Sequence, residues 1–271
     1  MTTLTDQQWE TYQQQGYLRL GKVLNDEDLA AMQARFDEIM TGRAGLDYSK
    51  LLMQLDSESG EYGDAGEQSM GFKGATLNYR KIQNLEFDPF FLRYMQRPLF
   101  RDICERAYGE DTPISCFRAM FMNKPSKRGT FLPWHQDRWT DLTADPLVTV
   151  YTAVDAATKE NGCVQYIPAS HGELINPEHN SGFLTEEQAD ALCPPEKREF
   201  LELEAGEVAL LHNWTLHGSD VNRSDQSRRA FSVCYMPAET RSRSSDSTFP
   251  VIFGDDALDP EAMETASAPE G

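Results

Sequence analysis

The sequence predicts a mainly β domain, a sandwich or barrel of jelly-roll type, with helices packed outside its N-terminal side. Three observations carry that expectation. From about residue 114 onward, short β-branched and apolar runs alternate with turn residues, giving six or so strands at close spacing. The first 110 residues read mostly as helix. The chain shows no internal repeat.

Taken in order, residues 5–14 form a short helix that ends at Gly16, and residues 17–20 form a short strand. Asn25 caps the next helix. Asp26, Glu27 and Asp28 fill its first turn, where the helix dipole favours negative charge. Leu29, Met32, Phe36, Ile39 and Met40 then recur at helical spacing. Residues 54–74 are rich in Gly, Ser and acid and lack periodicity, which predicts a long loop, a candidate lid. Residues 89–96 and 98–108 read as helices with Pro in the first turn, the second stopped by Gly109. Strands are expected at 114–123, 147–154, 163–167, 200–204, 208–212 and 230–236. Asn161-Gly162 is read as a hairpin turn between two of them, and Ala205-Gly206 as a turn into another. After Pro237 the Ser/Arg/Asp-rich chain is expected to fray. The organisation expected is one domain over residues 1–240, helical to about 110 and jelly-roll over about 111–237. An acidic, partly disordered tail over 241–271 follows.

Composition narrows the function. Twenty-five Lys and Arg against 44 Asp and Glu give a net charge of −19. Such a surface repels phosphate backbones and anionic membranes, so neither nucleic acid nor membrane is an expected partner. Part of the excess is local: residues 255–271 hold six acids and no base, and residues 56–67 hold five acids. No stretch of 18 apolar residues occurs, and the N-terminal residues show no basic and apolar signal pattern. Cys104, Cys116, Cys163, Cys193 and Cys234 are an odd, scattered set without a CxxC pair, which reads as reduced thiols in a cytoplasmic protein.

The chemistry gathers around Trp134-His135-Gln136-Asp137. On a strand, His135 and Asp137 face the same way, so an imidazole and a carboxylate pointing into a barrel make two thirds of a metal site. His171, His179, His212 and His217 are the remaining histidines. The segment after His217 favours that one. His217-Gly218-Ser219 is followed by Asn222 and by Arg228-Arg229 at the start of a strand. A buried Arg needs an anionic partner, and its planar fork suits a carboxylate, to which Ser219 can add a hydroxyl. Two His and one carboxylate on one face of a metal leave three open positions, the arrangement of non-haem Fe(II) oxygenases. Two positions can take a 2-oxo acid and the third O2.

These residues carry a resemblance. The set His135-Gln136-Asp137, then Asn161-Gly162-Cys163 and Ile167-Pro168-Ala169-Ser170-His171, then His217-Gly218-Ser219, Asn222 and Arg228, resembles the phytanoyl-CoA dioxygenase family of Fe(II)/2-oxoglutarate oxygenases. Lys81-Ile82-Gln83 is similar to the family's segment before the barrel, and the likeness covers roughly residues 10–237. The resemblance implies a double-stranded β-helix, or cupin-like jelly roll, with His135, Asp137 and His217 as catalytic iron ligands. It also implies that Arg228, Ser219 and Lys81 bind 2-oxoglutarate and that O2 is the second cosubstrate. The reaction implied is hydroxylation of a small-molecule metabolite with release of succinate and CO2. Because Asp137 retains the carboxylate that related halogenases replace, hydroxylation is favoured over halogenation; desaturation and cyclisation stay open. Arg229 would face away from Arg228. His171 and His212 are read as structural. Candidate substrate contacts are Asn78, Tyr79, Gln83, Trp134, Arg138, Trp139, Tyr151 and Trp214. A monomer or homodimer is expected. The competing readings are an inactive sensor that binds 2-oxoglutarate or metal, and a jelly-roll zinc enzyme of another class.

Overall fold

The computed structural model describes residues 3–267. Helix α1 (Asp6–Gln15) opens on a reciprocal cap: the Thr5 hydroxyl accepts from the Gln8 N–H while the Gln8 side chain accepts from the Thr5 N–H. Gly16, at φ 74°, turns the chain directly into β1 (Tyr17–Lys22). Asn25 caps α2 (Asp26–Met40) by accepting from the Asp28 N–H, and Met32, Phe36, Ile39 and Met40 form its buried stripe. Strands β2 (Leu52–Leu55), β3 (Ser69–Met70) and β4 (Tyr79–Gln83) follow, then α3 (Pro89–Met95) and α4 (Pro98–Tyr108). The second half holds β5 (Ile114–Lys124), β6 (Leu132–His135), β7 (Val148–Ala153), β8 (Val164–Tyr166), α5 (Glu186–Leu192), β9 (Glu199–Phe200), β10 (Glu207–His212), β11 (His217–Ser219), β12 (Arg228–Pro237), β13 (Val251–Phe253) and α6 (Pro260–Ser267).

The strands form two antiparallel sheets. The larger runs β1-β10-β7-β12-β5-β4-β2-β3, with β13 also paired to β5; the smaller runs β6-β11-β8-β9. Alternation along β5 divides the core. Ala119 and Phe121 face the helices, where Phe121 lies 4.4 Å from Phe36 of α2, and Phe36 and Phe231 lie 4.6 and 4.9 Å from Phe91 of α3. Arg118, Met120 and Met122 face the other way, into a cavity between the two sheets. This is the jelly roll the strand pattern predicts, and the helices pack outside it.

Three features differ from expectation. The first 110 residues supply four strands, β1 to β4, to the larger sheet. Of these, β4 hides from a hydrophobicity pattern because it carries Arg80, Lys81 and Gln83, and its place is set by pairing with β2 and β5. Asn161-Gly162 forms no hairpin between neighbouring strands. Both edges of β7 are taken by β10 and β12, while β8 belongs to the other sheet, so the turn carries the chain between sheets. Asn161 builds that turn with its side chain, accepting from the Thr158 N–H and donating to the Ala156 carbonyl, with Gly162 at φ 76°. Beyond Pro237 the chain does not fray immediately. Ser242 and Thr240 are buried, β13 joins the sheet, and α6 reaches α3 through Glu264 and Arg93. The end of the expected tail, residues 268–271, lies outside the described residues. All five cysteines are buried and unpaired. Among the described residues no helix is long and apolar enough to cross a membrane.

Candidate active site

His217 and His135 are direct cross-strand partners of β11 and β6, which brings their rings to 4.1 Å between centroids. The Nδ1 of His135 lies 2.9 Å from the Pro133 carbonyl, and that of His217 lies 2.9 Å from the Thr215 carbonyl. A carbonyl only accepts, so each Nδ1 carries the proton and each Nε2 presents a lone pair. Burial, then the neighbouring His217, pushes His135 down to about 3 and keeps it neutral. The two Nε2 atoms lie 3.7 and 3.8 Å from the two carboxylate oxygens of Asp137. One ligand atom from each residue falls within 4.8 Å of the others, a spacing that could hold a divalent ion at a single point.

Asp137 lies two residues beyond the end of β6, so strand alternation does not hold it in place. The intervening Gln136 does. Its side chain is fully buried on the opposite side, donating to the Glu173 and Trp214 carbonyls and accepting from the Ile175 N–H. Its main-chain N–H donates to Gly182, and the Asp137 N–H donates to Asn213. The sequence places Gln136 within the motif but shows no role for it, because its partners lie 37 to 78 residues away. Gly182, at φ 57°, has no room for a side chain: an added Cβ would sit 2.3 Å from the Gln136 carbonyl oxygen. Gly182→Ala is therefore expected to shift the His135–Asp137 segment and weaken Fe(II) affinity about tenfold, as losses of supporting contacts around metal ligands typically do. Equilibrium dialysis against Fe(II) measures it, and unchanged affinity would show the segment indifferent to that contact.

Arg228 and Arg229 separate onto opposite faces of β12. Arg229 is fully engaged outside the cavity, bonding Asp155 through Nε and Nη2 and Asp37 through Nη1. Arg228 is buried on the cavity side and has only neutral partners, the Tyr151 hydroxyl and the Gly162 carbonyl, with its Nε unpaired. Its cross-strand neighbour Lys124 is driven well below its usual range by burial and by Arg228. A buried guanidinium without an acid is costly in a folded chain and fits a site that receives an anion. Ser219, two residues past His217 on the same face of β11, also lines the cavity. So does Lys81, which burial, then Arg80 and Arg118, lowers to about 7. The donor set and a buried guanidinium with only neutral partners share one cavity, which suits an iron ion and a dianionic 2-oxo acid bound together.

The remaining sequence candidates fall in different places. Trp139 and Tyr151 line the cavity. Trp134 points to the opposite face of β6 from His135, beneath Arg198 at 5.4 Å. Arg138 is tied to Asp145 and the Pro177 carbonyl, away from the cavity. Asn78 is exposed, and Gln83 is buried at the far end of β4 beside Leu52. Tyr79 is held by its hydroxyl, which accepts from the Lys73 N–H and donates to the Gly74 carbonyl. Trp214 sits edge-on to His212, 5.9 Å away. His212 packs against His171, rings tilted and 4.8 Å apart, outside the cavity, and burial pushes it down to about 4. The 54–74 segment reaches the cavity through Tyr62, which packs on Phe183 at 5.4 Å and lies under Arg80. Arg118, Tyr62 and Phe183 are cavity residues that sequence reasoning missed; only the alternation of Arg118 with Met120 and Met122 in one strand hints at them.

The jelly roll and this site together define an Fe(II)/2-oxoglutarate-dependent dioxygenase, whose cofactor is Fe(II) and whose cosubstrates are 2-oxoglutarate and O2. The phytanoyl-CoA dioxygenase family model matches residues 12–230, and the chain belongs to that family. A probable phytanoyl-CoA dioxygenase of Caenorhabditis elegans is 24% identical over 86% of this chain and 75% of its own. A probable alpha-ketoglutarate-dependent hypophosphite dioxygenase of Stutzerimonas stutzeri is also 24% identical, over 86% of this chain and 79% of its own. Among solved structures, the non-heme alpha ketoglutarate dependent carbocyclase SnoK of nogalamycin biosynthesis superposes with a TM-score of 0.68 at 20% identity, covering 93% of this chain and 95% of its own. EctD of S. alaskensis with 2-oxoglutarate and 5-hydroxyectoine gives 0.67 at 16% identity, covering 94% and 82%. At these identities the shared property is the fold.

Proposed function

We propose that the protein hydroxylates a small-molecule metabolite, with His135, Asp137 and His217 holding Fe(II) and Arg228 holding the distal carboxylate of 2-oxoglutarate. The observation that carries the reading is Arg228: a buried cation with a free Nε and no acid beside it, in the same cavity as the His–Asp–His set. Iron with 2-oxoglutarate and O2 supplies the oxidising equivalents that turn a substrate C–H into C–OH, with succinate and CO2 released. The chain's own part is placement. Pro133 and Thr215 fix both imidazoles, and Gln136 anchors the segment between two ligands. Tyr151 orients the guanidinium, and Ser219 offers a hydroxyl to the same carboxylate. Tyr62 and Phe183, packed edge-on in the cavity lining, supply an apolar wall that would limit water beside the reacting groups. No side chain need act as a general base. The enclosed lining, shared between two sheets, suits a small molecule rather than a macromolecule.

The test is an anaerobic titration with Fe(II) and 2-oxoglutarate, followed by O2 and a metabolite panel. A visible charge-transfer band that needs both additions is expected, then succinate release that rises with one class of metabolite and a product heavier by one oxygen atom. Folded protein that gives no band would overturn the reading. A band with no succinate under any condition would favour the sensor.

A further inference from the structure

We infer that Arg118 is the specificity residue of this site and binds a carboxylate of the primary substrate; this deepens the oxygenase reading and rests on it. Charge in the cavity motivates the assignment. Its lining holds Lys81, Arg118 and Arg228 against a single acid, Asp137, although the whole chain carries −19. Iron would add two positive charges and 2-oxoglutarate two negative ones, so cosubstrate loading leaves the cation excess as it was. With Arg228 matched to the distal carboxylate and Lys81 to the cosubstrate as well, Arg118 still lacks a partner.

The geometry of Arg118 suits a ligand better than a structural role. Its guanidinium packs against the rings of Phe117 and Trp139, at 4.8 and 4.7 Å from their centroids. Those contacts hold the fork in place while using none of its N–H donors. Among the described residues no hydrogen bond or ion pair engages the donors, and they are not sealed inside protein as the Nε of Arg228 is. They therefore open onto the cavity. Asp137 is the acid that Arg118 senses, yet the two form no ion pair within 4.0 Å, and a metal ion would satisfy that carboxylate.

Register then separates Arg118 from the cosubstrate. Arg118 pairs with Cys234, and Lys124 pairs with Arg228, six residues along the same strand pair. At about 3.3 Å per residue that is roughly 20 Å, and strand side chains stand nearly perpendicular to the sheet. Ser219 pairs with Val164, two residues past the Gly162 carbonyl that Arg228 bonds, while Asp137 acts on Arg118 through its charge. A molecule gripped by Arg118 would therefore lie toward the end of the strand pair away from Arg228 and the anion it receives. A planar fork with its edge free and a face covered by rings matches a planar carboxylate in two-point contact.

The experiment uses the full-length protein loaded anaerobically with Fe(II) and 2-oxoglutarate. The probes are aliphatic and aryl monocarboxylates of two to ten carbons, each paired with its primary amide and its phosphonate, with binding followed by calorimetry. Wild type should bind its tightest acid at least about tenfold better than the matching amide, the worth of a charge-assisted contact. Arg118→Gln should bring that ratio close to one, and Arg118→Lys should keep part of it. In both variants the iron–2-oxoglutarate band should form as in wild type, which reports folding and an intact cosubstrate site. Acids and amides binding alike to wild type, or a preference that survives in Arg118→Gln, would overturn the assignment, as would phosphonates outranking carboxylates. Failure of the band in wild type would instead overturn the oxygenase reading itself.

Discussion

Arg228→Met is expected to weaken 2-oxoglutarate binding about a hundredfold while leaving Fe(II) affinity within a factor of about two. Removing one partner of a desolvated charge pair costs about 2–5 kcal/mol, which spans that factor. Met keeps an apolar stem in place of the aliphatic part of Arg228 while deleting the fork that bonds Tyr151 and Gly162. His217→Ala should behave in the opposite order. It removes the cross-strand partner of His135 and one of three donors, so Fe(II) binding itself fails and no charge-transfer band follows. Titrating each variant with Fe(II) and then with 2-oxoglutarate separates the two losses. A further comparison sharpens the first: 2-oxobutyrate lacks the distal carboxylate, so wild type should prefer 2-oxoglutarate strongly and Arg228→Met should scarcely discriminate. An Arg228→Met protein with unimpaired 2-oxoglutarate affinity would place the anion elsewhere in the cavity.

The contrast between Arg228 and Arg118 shows what is legible in the sequence. His135, Asp137, His217 and Arg228 announce themselves because motif spacing is local: two residues for HxD, eleven from His217 to Arg228. Alternation then separates Arg228 from Arg229 before any tertiary fact is needed, and Asp37 and Asp155 are where the outward arginine finds its partners. Arg118 offers no such signal. Its meaning comes from Trp139, 21 residues away, and from Asp137, whose charge it feels without an ion pair; only the assembled sheet reveals either. Gln136 is similar, since three carbonyl and N–H groups from two distant loops define it. The fold divides the same way. Helices with caps and apolar stripes, such as α2, are readable. Polar strands such as β4, the two-residue β3 and the late β13 exist only because a neighbour offers an edge. The Asn161-Gly162 turn forms where expected, but turn chemistry does not specify which sheet receives the next strand.

Glu86 carries the second large expectation, and it concerns stability. It lies in the short 3-10 turn Leu85–Phe87 beneath β5, 5% exposed, with its Oε2 lacking any partner. Burial raises its carboxyl from 4.5 to about 7; hydrogen bonds from the main-chain N–H groups of Glu86 and Ala119 pull the other way and lose. A raised carboxyl means that the folded state binds more protons than the unfolded state between those two values. Stability therefore falls as pH rises from about 4.5 through 7 and levels off above it. At 1.36 kcal/mol per unit, the cost of this one group reaches about 3 kcal/mol, most of it appearing between pH 5 and 8. Glu86→Gln cannot ionise, so its stability should gain on wild type by about 2–3 kcal/mol between those two pH values, whatever the offset at pH 5. Urea unfolding of both proteins at pH 5 and 8 measures the difference directly, and all other titrating groups cancel in the comparison. Parallel pH profiles would mean that Glu86 is ionised in the folded protein with a partner supplied to Oε2. A gain of Glu86→Gln on wild type between the two pH values would identify this acid as a neutral group at the lower pH. The strand it supports carries Arg118, Met120 and Met122 into the cavity, so the same ionisation would load the scaffold of the site as pH rises.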